Sequence, residues 1–238
     1  MCELSLILPA YNEEASLKAV IASLVQAFEH SKVGYELILV DNGSFDHTPG
    51  IIQQLASKNP RLKAVSIQVN QGFGWGVICG LKKAHGRFIG YMASDGQVAP
   101  QDVVKVFEAI RVNGYDVAKA KRVVREDGFV RKVLSFCYNW LFAWLFHVRS
   151  LDINGTPKIF RRELLKEFNL VSKDWFIDAE FMIKANYLKL RLSEVPIQFL
   201  PRRSGRSAVS AMTIVEFLKN MLSYKIGRRL KQWQKSRS

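Results

Sequence analysis

The stretch Leu4-Ser5-Leu6-Ile7-Leu8-Pro9-Ala10-Tyr11-Asn12-Glu13-Glu14 decides the architecture of the chain. Residues 4–8 are an almost unbroken apolar run, the pattern of a strand covered on both faces. Pro9 stops it, because proline has no N–H to give to a sheet ladder. Asn12 then stands where a helix N-cap belongs, with Glu13 and Glu14 in the first turn, where the helix dipole favours acids. The pattern predicts a helix to about Ser31.

The same strand, polar corner and helix recur downstream. Residues 36–40 read as a second strand ending at Asp41-Asn42-Gly43-Ser44, with a helix from about Pro49. Residues 62–68 read as a third strand, and residues 72–83 open with glycines and turn helical. Residues 87–92 form a fourth strand, and Pro100 starts a helix at a position where a missing N–H costs little. Strands alternating with helices predict parallel βαβ units. The expected class is therefore α/β, Rossmann-like, with a mostly parallel central sheet and helices on both faces. In such sheets ligands bind beyond the carboxyl ends of the strands. Tyr11-Asn12-Glu13, Asp41-Asn42-Gly43-Ser44 and Ser94-Asp95-Gly96-Gln97 each follow a strand directly, so three polar clusters are expected along one edge.

The second half is less regular. Residues 116–120 read as a short strand, 152–155 as a loop, 158–160 as a strand, 177–187 as a helix and 191–200 as the last strand. An amphipathic helix is expected from Met212 onward. The longest uncharged run, residues 133–148, falls short of the roughly 20 apolar residues a membrane span needs, and reads as a buried or interfacial helix. No secretory leader is visible at the start.

Composition narrows the function classes. The chain has 238 residues, enough for one well-packed domain, and its 48% hydrophobic and 24% charged content excludes a disordered chain. Cys2, Cys79 and Cys137 lack metal-ligand spacing, which argues against a disulfide framework or zinc site and for a reducing, cytoplasmic setting. The net charge is +14, and from Pro201 to the end ten Lys/Arg stand against Glu216 alone. A second basic cluster comprises Lys119, Lys121, Arg122, Arg125, Arg131 and Lys132. Such patches attract anionic lipid, phosphorylated substrates or nucleic acid, but no nucleic-acid motif is present.

Three groups of residues carry candidate chemistry. Gly72, Gly74 and Gly76 miss the dinucleotide-fingerprint spacing, and serve either close approach to a bound nucleotide or tight helix–sheet packing. Asp95 and Gln97 offer hard oxygen ligands through which a divalent cation would bridge to a diphosphate. Arg131 and Ser135 lie four apart and share a helix face, and with Arg122 they suit a phosphate. The apolar run that follows points to an acceptor with a charged head and a lipid tail.

In order and spacing these motifs resemble the family 2 glycosyltransferases of the GT-A fold, in the branch of dolichol- and polyprenyl-phosphate sugar synthases. The resemblance spans about residues 4–208. It implies that Pro9, Tyr11, Glu13, Asp41 and Asn42 line a nucleoside pocket beside Gly72 and Gly74. It implies that Asp95 and Gln97 form the Mg²⁺ or Mn²⁺ and diphosphate site. Arg122, Arg131 and Ser135 match positions that bind the donor diphosphate and the lipid phosphate. Asp152 and Gly155 match a loop near the acceptor, Asp178 and Glu180 an acidic pair, and Arg203 or Arg206 a basic residue that closes on the phosphates. Asp178 is the candidate base for a hydroxyl acceptor. The family's first metal-site Asp falls on Ala93, so one expected carboxylate is missing.

The activity implied is inverting, metal-assisted transfer of a sugar from a nucleotide-diphosphate donor to a polyprenyl phosphate. The expected enzyme is peripheral on the membrane, one domain with a nucleotide-sugar half (about 1–115), an acceptor half (about 116–200) and a basic amphipathic end (about 201–238). Two alternatives stay open: a transferase with a non-lipid sugar acceptor, and a non-catalytic basic module binding membrane or nucleic acid.

Overall fold

Seven strands form one sheet in the order β3-β2-β1-β4-β6-β5-β7. They are β1 (Leu4–Ala10), β2 (Tyr35–Asn42), β3 (Leu62–Ile67), β4 (Phe88–Tyr91), β5 (Val117–Arg125), β6 (Lys158–Arg161) and β7 (Leu192–Phe199). The computed structural model describes residues 2–125, 129–148, 150, 152–201 and 211–235, with the side chains of 124–137, 211–216 and 228 outside the description. The helices are α1 (Leu17–His30), α2 (Thr48–Lys58), α3 (Phe73–Leu81), α4 (Pro100–Asn113), α5 (Phe129–Phe146), α6 (Leu165–Phe168), α7 (Ile177–Tyr187), α8 (Ala211–Ile226) and α9 (Arg228–Lys235).

The apolar run of β1 is explained by burial on both faces. Leu4, Leu6 and Leu8 pack with Val20, Leu24 and Phe28 of α1 and Phe107 of α4. Ile7 points the other way and packs with Val77 of α3, in a cluster that also holds Phe142 of α5 and Phe181 of α7. Every residue of β1 and β2 is buried, as the continuous rather than alternating hydrophobicity predicts.

Strands β1 to β4 run parallel. β6 runs against both β4 and β5, and β5 is parallel to β7. With β6 reversed, β5 and β7 point the same way as β1 to β4. Their carboxyl ends therefore emerge on one edge.

Some local expectations need correcting. Asn12 is not a helix cap: α1 begins at Leu17, its N-cap position is Ser16, and Asn12 takes a left-handed conformation with φ 54°. Its side chain bridges to the next strand-end loop instead, and Asn tolerates that conformation better than most residues. Strand β5 runs on to Arg125 because β7 pairs along its whole length. Lys119 does not join a surface basic cluster, for its side chain is fully buried. The C-terminal helix is two, α8 and α9, parted at Gly227.

Candidate functional site

The loops after β1, β2 and β3 are stapled to one another. The Asn12 amide N–H donates to Ser44 Oγ at 3.1 Å, and Asn12 Oδ1 accepts from Phe45 N–H at 3.1 Å. Glu13 N–H donates to Thr48 Oγ1, and the Glu13 carboxylate accepts from Ser16 Oγ at 2.7 Å. Asp41 Oδ1 accepts from Ser44 N–H at 3.0 Å, which closes the second loop on itself. Asn42 Nδ2 donates to Gly72 O at 3.0 Å and so reaches the third loop. Tyr11 and Phe45 are exposed, ring edge against ring face, with centroids 5.8 Å apart.

The third loop is fixed from below by residues 172–174. Gly72 has φ +104°, and a Cβ there would lie 2.5 Å from Lys173 O. A Cβ on Gly74 would lie 2.3 Å from Ser172 O. Trp75 N–H donates to Lys173 O at 2.9 Å. Glycine is required here because one backbone passes directly over another.

The loop after β4 joins the same edge. Ser94 is buried, and its hydroxyl donates to Pro9 O at 2.9 Å, tying the exits of β1 and β4 together. Asp95 Oδ1 accepts from Gln97 N–H at 3.1 Å. Gln97 Nε2 donates to Leu200 O at 3.1 Å, and Val98 bridges to Phe199 at the end of β7. The guanidinium of Arg122 lies 5.2 Å over the Phe199 ring. An unbroken series of contacts thus runs from Asp41 through Pro9, Asp95 and Phe199 to Arg122.

Arg122 is held by the turn at residues 152–155. Its Nε and Nη2 donate to Asp152 Oδ2 and Oδ1 at 2.9 and 2.5 Å, and its backbone N–H donates to Oδ2 at 2.9 Å. Burial by itself would raise the pKa of Asp152. The hydrogen bonds and charge of Arg122, with Lys119, outweigh it and hold this carboxyl well below the usual range. Gly155 is pressed against β5, where a Cβ would meet Ala120 O at 2.2 Å.

The acidic pair of α7 lies in the interior. Asp178 Oδ1 accepts from Lys158 Nζ at 2.5 Å and from Tyr91 OH at 3.0 Å. Glu180 accepts from the N–H groups of Val171 and Ser172 and from Lys184. Glu180 thereby fixes the segment under Gly72 and Gly74. The side chains of Arg131 and Ser135, and all of Arg203 and Arg206, lie outside the described residues.

Asp95 and Gln97 bring one carboxylate and one amide oxygen. Among the described residues there is no group of three or more His, Cys, Asp or Glu that would cage a metal. This donor set, with Ala93 adding no third oxygen, fits a hard cation held chiefly by substrate phosphates.

Sequence reasoning placed Ser94 in a strand-end cluster and Lys119 in a basic one without their partners, and missed Lys158 and Tyr91. Nothing in their spacing marks them, since each acts through a partner distant in sequence. It also missed buried atoms without a partner among the described residues, notably Tyr138 Oη, one helical turn beyond Ser135, and Asn154 Oδ1.

A doubly wound sheet whose strand-end loops converge in this way is a GT-A fold. The chain belongs to Glycosyl transferase family 2, whose sequence profile matches residues 5–172. It is 27% identical over 221 residues to an undecaprenyl-phosphate 4-deoxy-4-formamido-L-arabinose transferase of Aeromonas hydrophila, covering 92% of this chain and 66% of that protein. It is 31% identical over 173 residues to a dodecaprenyl-phosphate galacturonate synthase of Rhizobium johnstonii, covering 72% of this chain and 51% of that one. The chain thus spans about half to two thirds of the length of these relatives. Mannosyl-3-phosphoglycerate synthase of Rubrobacter xylanophilus superposes with a TM-score of 0.76 at 18% identity, covering 97% of this chain and 75% of that one. Glucosyl-3-phosphoglycerate synthase of Mycobacterium tuberculosis, solved with Mn²⁺, UDP and glucosyl-3-phosphoglycerate, superposes with a TM-score of 0.71 at 21% identity, covering 94% and 80%. At these identities the two structures establish the fold alone.

Proposed function

We propose that this chain transfers a sugar from a nucleotide-diphosphate donor to a polyprenyl phosphate, with inversion at the anomeric carbon. The observation that carries the reading is the joined series of strand-end loops, from Asp41 through Pro9 and Asp95 to Arg122, along one edge of the sheet. Relatives named for undecaprenyl- and dodecaprenyl-phosphate acceptors support the choice of acceptor.

Asp41, Asn42 and the glycine-backed third loop line the nucleoside end, with Pro9, Tyr11 and Glu13 beside them. Asp95 and Gln97 are the residues that would hold Mg²⁺ or Mn²⁺ on the donor side. Such a cation, when bound, neutralises charge on the departing diphosphate. Arg122 helps hold the donor diphosphate and, by the family match, Arg131 with Ser135 holds the acceptor phosphate, with Arg203 or Arg206 closing on the phosphates. An acceptor phosphate oxygen is already anionic near neutral pH. It forms the new bond to the anomeric carbon as the bond to the nucleotide diphosphate breaks, and no strong general base is needed. Positioning and charge stabilisation supply the rate. Asp178 is engaged by Lys158 and Tyr91, which suits a structural role better than proton abstraction.

Peripheral membrane association fits the same reading. Trp140 and Trp144 of α5 are 64% and 65% exposed and four residues apart. Leu218, Leu222 and Ile226 form an exposed stripe on α8. Tyr138 against Phe217, with ring centroids 5.3 Å apart, joins the two helices. Among the described residues no helix is long and apolar enough to cross a membrane. Aromatic and aliphatic stripes flanked by lysine and arginine suit an interfacial position.

The test is transfer itself. Purified protein, polyprenyl phosphate and a panel of radiolabelled nucleotide sugars with Mn²⁺ should yield labelled glycolipid. Absence of both transfer and nucleotide binding across the panel overturns the enzyme reading, and transfer to free glycans alone overturns the lipid acceptor.

A further inference from the structure

Two lysines with no access to solvent lie beneath the turn at residues 152–155. Lys119 of β5 and Lys158 of β6 are register partners across an antiparallel pair. Both are 0% exposed. Lys119 Nζ donates to Asp152 O at 2.6 Å and to Ala120 O at 2.9 Å, with Glu194 as counter-ion at 3.1 Å. Lys158 Nζ donates to Gly155 O at 3.0 Å, with Asp178 as counter-ion. The first and last carbonyls of the turn are therefore each held from below by a buried ammonium. The turn in turn holds Asp152, and Asp152 holds Arg122 by three hydrogen bonds.

Buried lysines are costly, and a merely structural filler would be apolar. Each is matched by one carboxylate from an element outside the β5–β6 pair: Glu194 on β7 and Asp178 on α7. The arrangement joins α7, β6, the turn and β5 in a single polar path ending at the proposed phosphate arginine.

We infer that Lys158, with Asp178 as its counter-ion, is a positioning residue for the proposed transfer: it fixes the 152–155 turn and, through Asp152, aims Arg122 into the cleft. The inference rests on the transferase reading for its kinetic part but not for its structural part. The groups facing Lys158 are Tyr91 from β4, Lys119 from β5, Asp152 and Gly155 from the turn and Asp178 from α7, with Tyr138 of α5 near Asp178. Burial lowers the pKa of Lys158 to about 8, Asp178 opposing the shift and Lys119 adding to it. The ammonium that holds the turn is accordingly lost in mildly alkaline solution.

The experiment compares wild type with the double variant Lys158→Met/Asp178→Asn, which removes both charges and leaves neither uncompensated. Hydrogen exchange at residues 152–157 should quicken in the variant, while exchange at residues 41–44 stays as in wild type. The donor KM should rise by about tenfold or more, as small misplacements of a substrate-positioning group do, with the acceptor KM changed less. In wild type, exchange at the turn, corrected for its intrinsic pH dependence, should quicken above pH 8, a readout that survives if the variant does not fold. Unchanged exchange at the turn in the variant, or in wild type across that pH range, overturns the clamp. Altered exchange with an unchanged donor KM overturns the kinetic role. Absence of transfer by wild type, with the exchange result intact, counts against the transferase reading alone.

Discussion

Asp152 accepts three hydrogen bonds from the single residue Arg122, two from its guanidinium and one from its backbone N–H. Side chain and main chain of Arg122 are thus fixed by one buried carboxylate. Breaking a buried, hydrogen-bonded pair by removing one partner costs about 3–5 kcal/mol. Asp152→Ala should lose stability on that scale in urea unfolding, and Arg122→Ala nearly as much. This carboxyl's pKa is depressed in the fold, so its contribution is present above the ordinary carboxylate range and is lost only as pH falls through the depressed value. The acid limb of wild-type stability should therefore flatten in Asp152→Asn, as followed by circular dichroism between pH 5 and 2.

Gly74→Ala places a methyl 2.3 Å from Ser172 O and 2.7 Å from Asp174 O, both backbone atoms. No side-chain rotation relieves that contact. Overpacking of this kind costs about 1–3 kcal/mol, and here the loop displaced belongs to the proposed donor pocket. Weaker nucleotide binding by calorimetry is expected, together with a lower melting temperature. Gly50→Ala, inside α2 with nothing within 4 Å, is the control: it should leave nucleotide binding unchanged and raise rather than lower the melting temperature.

Asp95→Asn should abolish the part of nucleotide-sugar stabilisation that depends on Mn²⁺ in a thermal-shift assay. Ala93→Asp supplies the carboxylate that the family pattern has at this position. It should lower the Mn²⁺ concentration needed for the same shift, since carboxylate count tunes affinity for hard cations.

The alternation of strands and helices, the sites of the polar corners and the bounds of α7 are legible from hydrophobic runs and turn residues, because those signals are local; the order of strands in the sheet and the reversal of β6 are not, since they rest on pairing between distant segments. Asn12 was misread for the same reason: a cap and a loop-to-loop bridge look alike until the second loop is in place. Lys119 illustrates the other failure. Its neighbours Lys121 and Arg122 make it look like part of a basic surface, and only the pairing of β5 between β6 and β7 shows that residues 117–120 are covered on both faces. For Asp178, α7 was foreseen, but not Lys158, 20 residues earlier, as its partner.

Alkaline stability tests the buried lysines as a set. Burial lowers the pKa values of Lys119 and Lys184 as well as Lys158, the last from 10.5 to about 8. Between the folded and unfolded values the unfolded chain binds more protons, so these groups make stability rise with pH across that window. For Lys158 the window runs from about 8 to 10.5. Urea unfolding between pH 8 and 10 should show a shallower rise in Lys158→Met/Asp178→Asn than in wild type.

Membrane association should depend on both stripe and charge. Trp140→Ala/Trp144→Ala should cut sedimentation with anionic liposomes by about tenfold or more, given the apolar area lost. Binding by wild type should weaken as salt is raised. Equal binding by the double variant at low salt sets these tryptophans aside as the contact.

The reversal of β6 has a consequence for how the cleft is assembled. The loops after β1, β2 and β4 reach the cleft on the way out of a strand; residues 152–157 pass it on the way into β6. The outgoing loops and this incoming segment thereby approach the same rim from opposite ends of their strands. A change in the length of the incoming segment can be taken up before β6 begins, without altering the pairing of β1, β2, β3 and β4 with one another.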